Sequence, residues 1–198
     1  YVCQLAGLHV KNLLVANDND GALQTKKHDK WMAIPPITRR AIQSNLLNAI
    51  RSPVCGTRNT AVLVGSEIAA IEIPDKEWLE FPSVMMENVT REGGDDGIKI
   101  SSLHCIRMMY RRTEELMGVI PPEVTDLMLT TIVDGMRSNR PDPIRYAATR
   151  ALGNSLSFAR KNMENPAERD VILKMICEAT KSADADVRSA ANECIVQI

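Results

Sequence analysis

Two short stretches carry the residue types that chemistry needs. Gly93-Gly94-Asp95-Asp96-Gly97 sets flexible backbone beside paired carboxylates, the ingredients of a phosphate cradle or a calcium loop. His104-Cys105 is the one adjacent imidazole and thiol, the start of a cysteine nucleophile or a zinc site. Neither is completed. A phosphate loop ends in Gly-Lys-Ser/Thr after a strand, and a calcium loop alternates acidic ligands before a distant glutamate. A hairpin turn is what Gly93–Gly97 supplies. His9 and His28 lie far along the chain from His104, nothing marks a third group to orient a Cys–His pair, and metal sites need several converging ligands. His104 reads as a partly buried helical histidine. These patterns point to no catalytic residue, metal or cofactor, and so to a binding protein rather than an enzyme.

Composition narrows the class. The 198 residues carry 24 basic and 25 acidic side chains, so no net field draws the chain to nucleic acid or to an anionic membrane. Aromatics make up 4%, while Ala, Leu, Ile and Met abound, a mix suited to helix packing and not to a β-sandwich. Cys3, Cys55, Cys105, Cys177 and Cys194 are odd in number and widely spaced, which reads as reduced core cysteine in a cytosolic or nuclear protein. No apolar run reaches membrane-span length and no signal peptide is expected. Asn88-Val89-Thr90 matches a glycosylation acceptor by chance in such a chain. The runs 26–30 and 109–115 read as solvated charge.

What positions these residues is a repeat. Ile98-Lys99-Ile100-Ser101-Ser102 returns as Thr57-Arg58-Asn59-Thr60-Ala61, Ile144-Arg145-Tyr146-Ala147-Ala148 and Val187-Arg188-Ser189-Ala190-Ala191. The basic residues are 41, 46 and 43 positions apart. Such a period with helical flanks marks a two-helix solenoid repeat, and such a protein works through an extended binding surface. The paired small residues let neighbouring helices approach closely. The fold class is therefore all-α, a superhelical α-solenoid.

The last repeat is the clearest. Val171, Ile172, Met175, Ile176 and Ala179 share one broad face of a helix at 166–181, with Pro166 suited to its first turn. After the polar break 181–186, Val187, Ala190, Ala191, Cys194, Ile195 and Ile198 follow at helical spacing. Working backward, hairpin repeats fall at 122–161, 75–117 and 37–72. Residues 1–16 form the second helix of an incomplete repeat. The hairpins pair helices at 37–51 with 57–72, 75–90 with 97–117, and 122–137 with 142–161, making nine long helices in all. Between 16 and 37 lies a polar connection holding Trp31, either irregular or separately helical. Both ends are too apolar for capping repeats, so the chain is expected to belong to a longer array. Trp31 and Trp78 are expected to pack between repeats.

One feature exceeds what packing needs. The helix at 122–137 has a stripe of Met128, Ile132 and Met136, yet Leu129 and Val133 lie beside it. The helix at 166–181 adds Val171 and Ile172 to its Met175/Ile176 stripe. These positions either complete the core between repeats or line a shared apolar groove, where peptide anchors dock.

Several segments resemble the N-terminal HEAT repeats of the importin-β family. They are Ala6-Gly7-Leu8-His9-Val10-Lys11-Asn12, Asp29-Lys30-Trp31-Met32-Ala33-Ile34, Ile71-Glu72-Ile73-Pro74 with Trp78, the run 147–156, and Glu168-Arg169 with Cys177-Glu178-Ala179-Thr180. The resemblance spans essentially the whole chain in order and gap length. It implies a nuclear transport receptor of the cytoplasm, nucleus and nuclear pore. Such a receptor binds phenylalanine-glycine (FG) nucleoporin repeats and Ran in its GTP form. It further implies a nucleoporin pocket between two successive first helices, at Leu129, Thr130, Val133, Glu168, Val171 and Ile172. Family members often have an aromatic at Val171, so the pocket here is expected to be shallower. Lys11 and Asn12 match a Ran-facing pair and Arg58 falls near a basic contact, while Asn17 replaces a further family lysine. The sites for importin-α and cargo, and an acidic loop touching Ran, would lie beyond residue 198. From another class, a HEAT scaffold such as a phosphatase regulatory subunit shares the repeat architecture.

Overall fold

The computed structural model describes residues 2–15, 21–111 and 119–198. Among them are eleven helices and no strand. They are α1 (Val2–Leu14), α2 (Gly21–Met32), α3 (Pro36–Ile50), α4 (Cys55–Glu72), α5 (Phe81–Thr90) and α6 (Asp96–Arg111). Then follow α7 (Pro122–Gly135), α8 (Asp142–Ser155), α9 (Arg160–Glu164), α10 (Pro166–Ala179) and α11 (Ala185–Gln197). Asn17, the side chain of Cys3 and residues 112–118 lie outside the described residues.

Local sequence sets the helix starts. Prolines occupy the first turn of α3, α5, α7, α8 and α10, where a missing N–H costs nothing. Asn165 caps α10 by accepting from the Ala167 amide at 3.1 Å, and Asp184 caps α11 from Val187 at 2.9 Å. The recurrent basic residue serves the turn before its own helix. Arg58 donates to the Ser52 carbonyl, and Arg188 to those of Ser182 and Ala183, each at 2.7 Å. Arg145 is buried and donates to Ser182 Oγ at 3.0 Å, which ties its repeat to the next. The bonds of Arg58 and Arg188 satisfy turn carbonyls.

The hairpins α3–α4, α5–α6, α7–α8 and α10–α11 stack in two layers. The second helices α1, α4, α6, α8 and α11 pack in sequence, as the small-residue pattern predicts. A Cβ added at Gly135 would sit 2.9 Å from Ala148 Cβ, and one at Gly7 only 1.8 Å from Thr60 Cγ2. Ser101 and Ser102 are buried, with Ser102 Oγ accepting from Asn88 at 3.1 Å. The core runs continuously between the layers through Ile68, Phe81, Leu103, Ile106, Ile132 and Leu152.

Three expectations need correction. The expected nine helices become eleven because α2 forms within the polar connection and the helix expected at 142–161 breaks. That helix stops at Ser155, Phe158 turns to stack on Tyr110 at 6.0 Å between centroids, and α9 begins at Arg160. The helix expected from 75 starts at Phe81, because Lys76 and Trp78 adopt left-handed φ of 61° and 49°. This unusual backbone seats the buried Trp78 ring 4.3 Å from Phe81. Cys105 and Cys194 are buried as expected, but Cys55 and Cys177 are exposed on their helices.

Charge anchors α2. Glu72 is fully buried at the end of α4 and accepts from Trp31 Nε1 at 3.0 Å, from Arg39 at 2.9 Å and from Gln43. Arg39 also pairs with Glu77, whose carboxyl that bond holds below its ordinary range. On the outside, His28 Nε2 meets Asp75 at 3.0 Å.

Candidate functional site: a groove across the first helices

The two stretches that opened the sequence reading take up a buried helical position and a turn. Burial pushes the Cys105 thiol up to about 12, and burial with nearby Arg107 holds His104 below its ordinary value. That combination leaves neither a thiolate nor a cation. Gly93 takes a left-handed φ of 64° in the turn between α5 and α6, which a glycine adopts freely. Among the described residues no cluster of three His, Cys, Asp or Glu is placed to hold a metal.

An open groove of about 1080 Å³ runs across α5, α7 and α10. Leu129, Thr130, Val133, Glu168, Val171 and Ile172 all line it. Leu129 and Ile172 form its floor, 6% and 2% exposed, while Val133 is half-buried. Val171, 53% exposed, stands at the wall with Thr130 and Glu168 on the rim. The choice between core and groove therefore resolves by residue. Leu129 and Ile172 serve both, turning one side to the interior, and Val171 serves only the groove.

The rim is acidic and organised. Asn162, placed at the mouth by the break before α9, donates its amide to Asp126 at 3.1 Å and to Glu168 at 2.7 Å. Asn165 adds a 2.7 Å bond to Glu168. Asp134 is neutralised instead, by Arg137 at 2.9 Å and by Arg140. Sequence reasoning missed Asp126 and Asn162, along with Met86 and Thr90 on the α5 side. A helix period from Leu129 could have found Asp126, but nothing in the pattern foretold the break that turns Asn162 inward.

The three residues assigned to Ran are more dispersed. Lys11 is half-buried and Asn12 exposed near the end of α1, where the Asn12 carbonyl accepts from Lys27 Nζ at 2.6 Å. Arg58 stands near the start of α4, covering Gly97, where an added Cβ would lie 2.3 Å from a guanidinium nitrogen. Since Gly7 faces Thr60, the rise per residue puts Lys11 and Arg58 about 9 Å apart along the helix axes. Arg58 Nε is buried without a hydrogen-bond partner.

No family model matches the sequence. The curated protein importin subunit beta-1 of Arabidopsis thaliana is 35% identical over 199 residues, covering 98% of this chain and 22% of that protein. The chain is homologous to importin-β along nearly its whole length. In the Kap95:Nup1 complex, Kap95 being yeast importin-β, the matching region superposes with a TM-score of 0.87 at 30% identity. That match covers 98% of this chain and 22% of that one, and a Kap95p structure with RanGDP matches with the same values. These relatives identify the two layers as importin-β HEAT repeats. The chain spans about a fifth of their length.

Proposed function

We propose that this chain is part of a nuclear transport receptor of the cytoplasm, nucleus and nuclear pore. Its first-helix groove would take phenylalanine side chains from FG nucleoporin repeats. One observation carries the reading. Six residues from two helices about 40 positions apart line one solvent-open groove with an apolar floor. The matching relative in complex with the nucleoporin Nup1 supports the partner class, and the importin-β relatives favour a receptor over a phosphatase scaffold.

Each element has its work. Leu129, Val133 and Ile172 offer apolar surface to the ring, and Val171 closes one side. Thr130 and Glu168 meet the peptide's polar backbone, Glu168 being held ready by Asn162 and Asn165. Burying one ring contributes roughly 1.5–3 kcal/mol. Ordering a disordered peptide takes some of that back, so single contacts are weak and short-lived. Weak contacts suit a carrier that must release each repeat to reach the next.

We further propose that α1 and α4 contribute to binding Ran in its GTP form through Lys11, Asn12 and Arg58, with importin-α and cargo engaged elsewhere in the receptor. Rim charges such as Lys11 act mainly on encounter rate. No described helix is long and apolar enough to cross a membrane.

The test is anisotropy of a labelled FG peptide with wild-type protein and Val171→Asp. Saturable binding lost in the variant supports the groove; binding unaffected by it rejects the groove. For Ran, Lys11→Ala with Arg58→Ala should lower the association rate for the GTP form, and an unchanged rate removes both residues from that surface.

A further inference from the structure

We infer that the groove reads two apolar anchors spaced three residues apart on one extended peptide, with a basic residue beside the anchor that sits next to α10. This deepens the reading of the groove as an aromatic-binding site and rests on it.

The groove is too large for one ring. Its roughly 1080 Å³ stands at the top of the range, about 300–1,000 Å³, that encloses whole drug-sized ligands. Helix α7 divides it lengthwise. At 3.6 residues per turn, Asp126, Leu129 and Val133 share the side toward α10, while Leu127, Thr131 and Asp134 share the side toward α5. Both sides line the same continuous cavity, together with Met86 and Thr90 of α5. The second side is shallower, because α5 packs directly on α7. Even so, it holds the most exposed apolar residue of α7, Leu127 at 57%, and the buried Met86, at 5%, lines the same cavity. Methionine adapts its shape to an incoming ring and makes favourable sulfur–aromatic contacts.

Geometry sets the spacing. The two clefts lie on either side of one helix, whose diameter with side chains is about 10 Å, so they repeat at about that distance. A polyproline-II peptide has three residues per turn and rises about 3.1 Å per residue, so positions i and i+3 face the same way about 9 Å apart. One such peptide lays an anchor in each cleft without bending.

Charge sets the flank. Four carboxylates line the cavity against one guanidinium. Asp134 is neutralised by its arginines, and Glu87 has Arg91 at 3.5 Å. Asp126 and Glu168 are bridged by the neutral amide of Asn162, and Glu168 takes a second neutral amide from Asn165. Two carboxylates held at one mouth by a neutral donor favour a lysine or arginine there and repel an acidic flank.

The experiment compares synthetic Gly/Ser-rich peptides by titration calorimetry against the 198-residue protein. One carries Lys-Phe-x-x-Phe, one has its second Phe replaced by Ser, and one has Glu in place of Lys. The two-anchor peptide should bind about tenfold tighter than the one-anchor peptide, which is about 1.4 kcal/mol. Leu127→Ser should bring it down to one-anchor affinity, and the glutamate flank should weaken binding in a salt-dependent way. Equal affinity of the first two peptides, or an advantage that survives Leu127→Ser, overturns the second cleft. Indifference to Lys against Glu overturns the charge assignment. If the one-anchor peptide binds and Val171→Asp abolishes it while the second Phe adds nothing, this inference alone falls. If no peptide binds, the aromatic-groove reading falls with it. Dimerisation of the wild type that Leu127→Ser removes would make a second copy the occupant and also overturn it.

Discussion

The cluster around Glu72 and the groove around Glu168 both set carboxylates, amides and apolar side chains at a junction between repeats, and they do opposite things. Around Glu72 every strong group faces another group of the chain: Trp31, Arg39 and Gln43 all point at one fully buried carboxylate. Around Glu168 the carboxylates meet neutral amides and the apolar floor opens to solvent. A polar cluster that closes on itself holds the fold together. One left half-answered beside exposed apolar surface is a place for something else to bind.

The sharpest way to break that contrast is Arg39→Ala. Removing one partner of a buried ion pair strands the other charge and typically costs about 3–5 kcal/mol. Chemical denaturation should show a loss of this order, and a loss under 1 kcal/mol would mean that Glu72 is not the keystone of the α2 junction. Ile172→Asp comes next. The side chain is 2% exposed, so an unpaired carboxylate there should lower stability by about 2–4 kcal/mol and remove peptide binding together. An unchanged melting temperature would move Ile172 from floor to surface. Val171→Asp separates the two effects. At 53% exposure it should alter stability by no more than about 0.5 kcal/mol while abolishing FG-peptide binding. A large unfolding effect would show that the wall is core.

The smallest effect is on pH. His104 is held below its ordinary 6.5 chiefly by burial, so between its lowered value and about 6.5 the unfolded chain binds more protons than the folded one. Stability should therefore rise with pH through that window and level off above it. Comparing urea midpoints for wild type and His104→Asn across that range isolates the contribution, and identical slopes would mean that His104 titrates as it would in water.

Much of this was legible because helical periodicity carries geometric information. Leu129/Val133 and Val171/Ile172 exceed what each core stripe needs, and the surplus has to face something. The paired small residues likewise announced close helix contact, realised at Gly135–Ala148 and Gly7–Thr60. Charged residues gave no such constraint. A lysine reaches many places from one backbone position, so Lys11 and Arg58 could not be placed relative to each other, and Arg58 proves occupied with the turn at Ser52. The break at Ser155 and the left-handed Lys76 and Trp78 escaped prediction because tertiary packing of Phe158 and Trp78 overrides a continuous local helix pattern.

The contact between Gly135 and Ala148 has a consequence for how the groove can be altered. Helix α7 turns Leu129 and Val133 to the open groove on one side, and on the other it rests against α8 where not even one methyl fits. The groove's central wall is thus cast in a mould at its back. A substitution there changes no surface charge and keeps the identity of every lining residue, yet it shifts the wall bodily. A site cut into stacked helices can be silenced from behind.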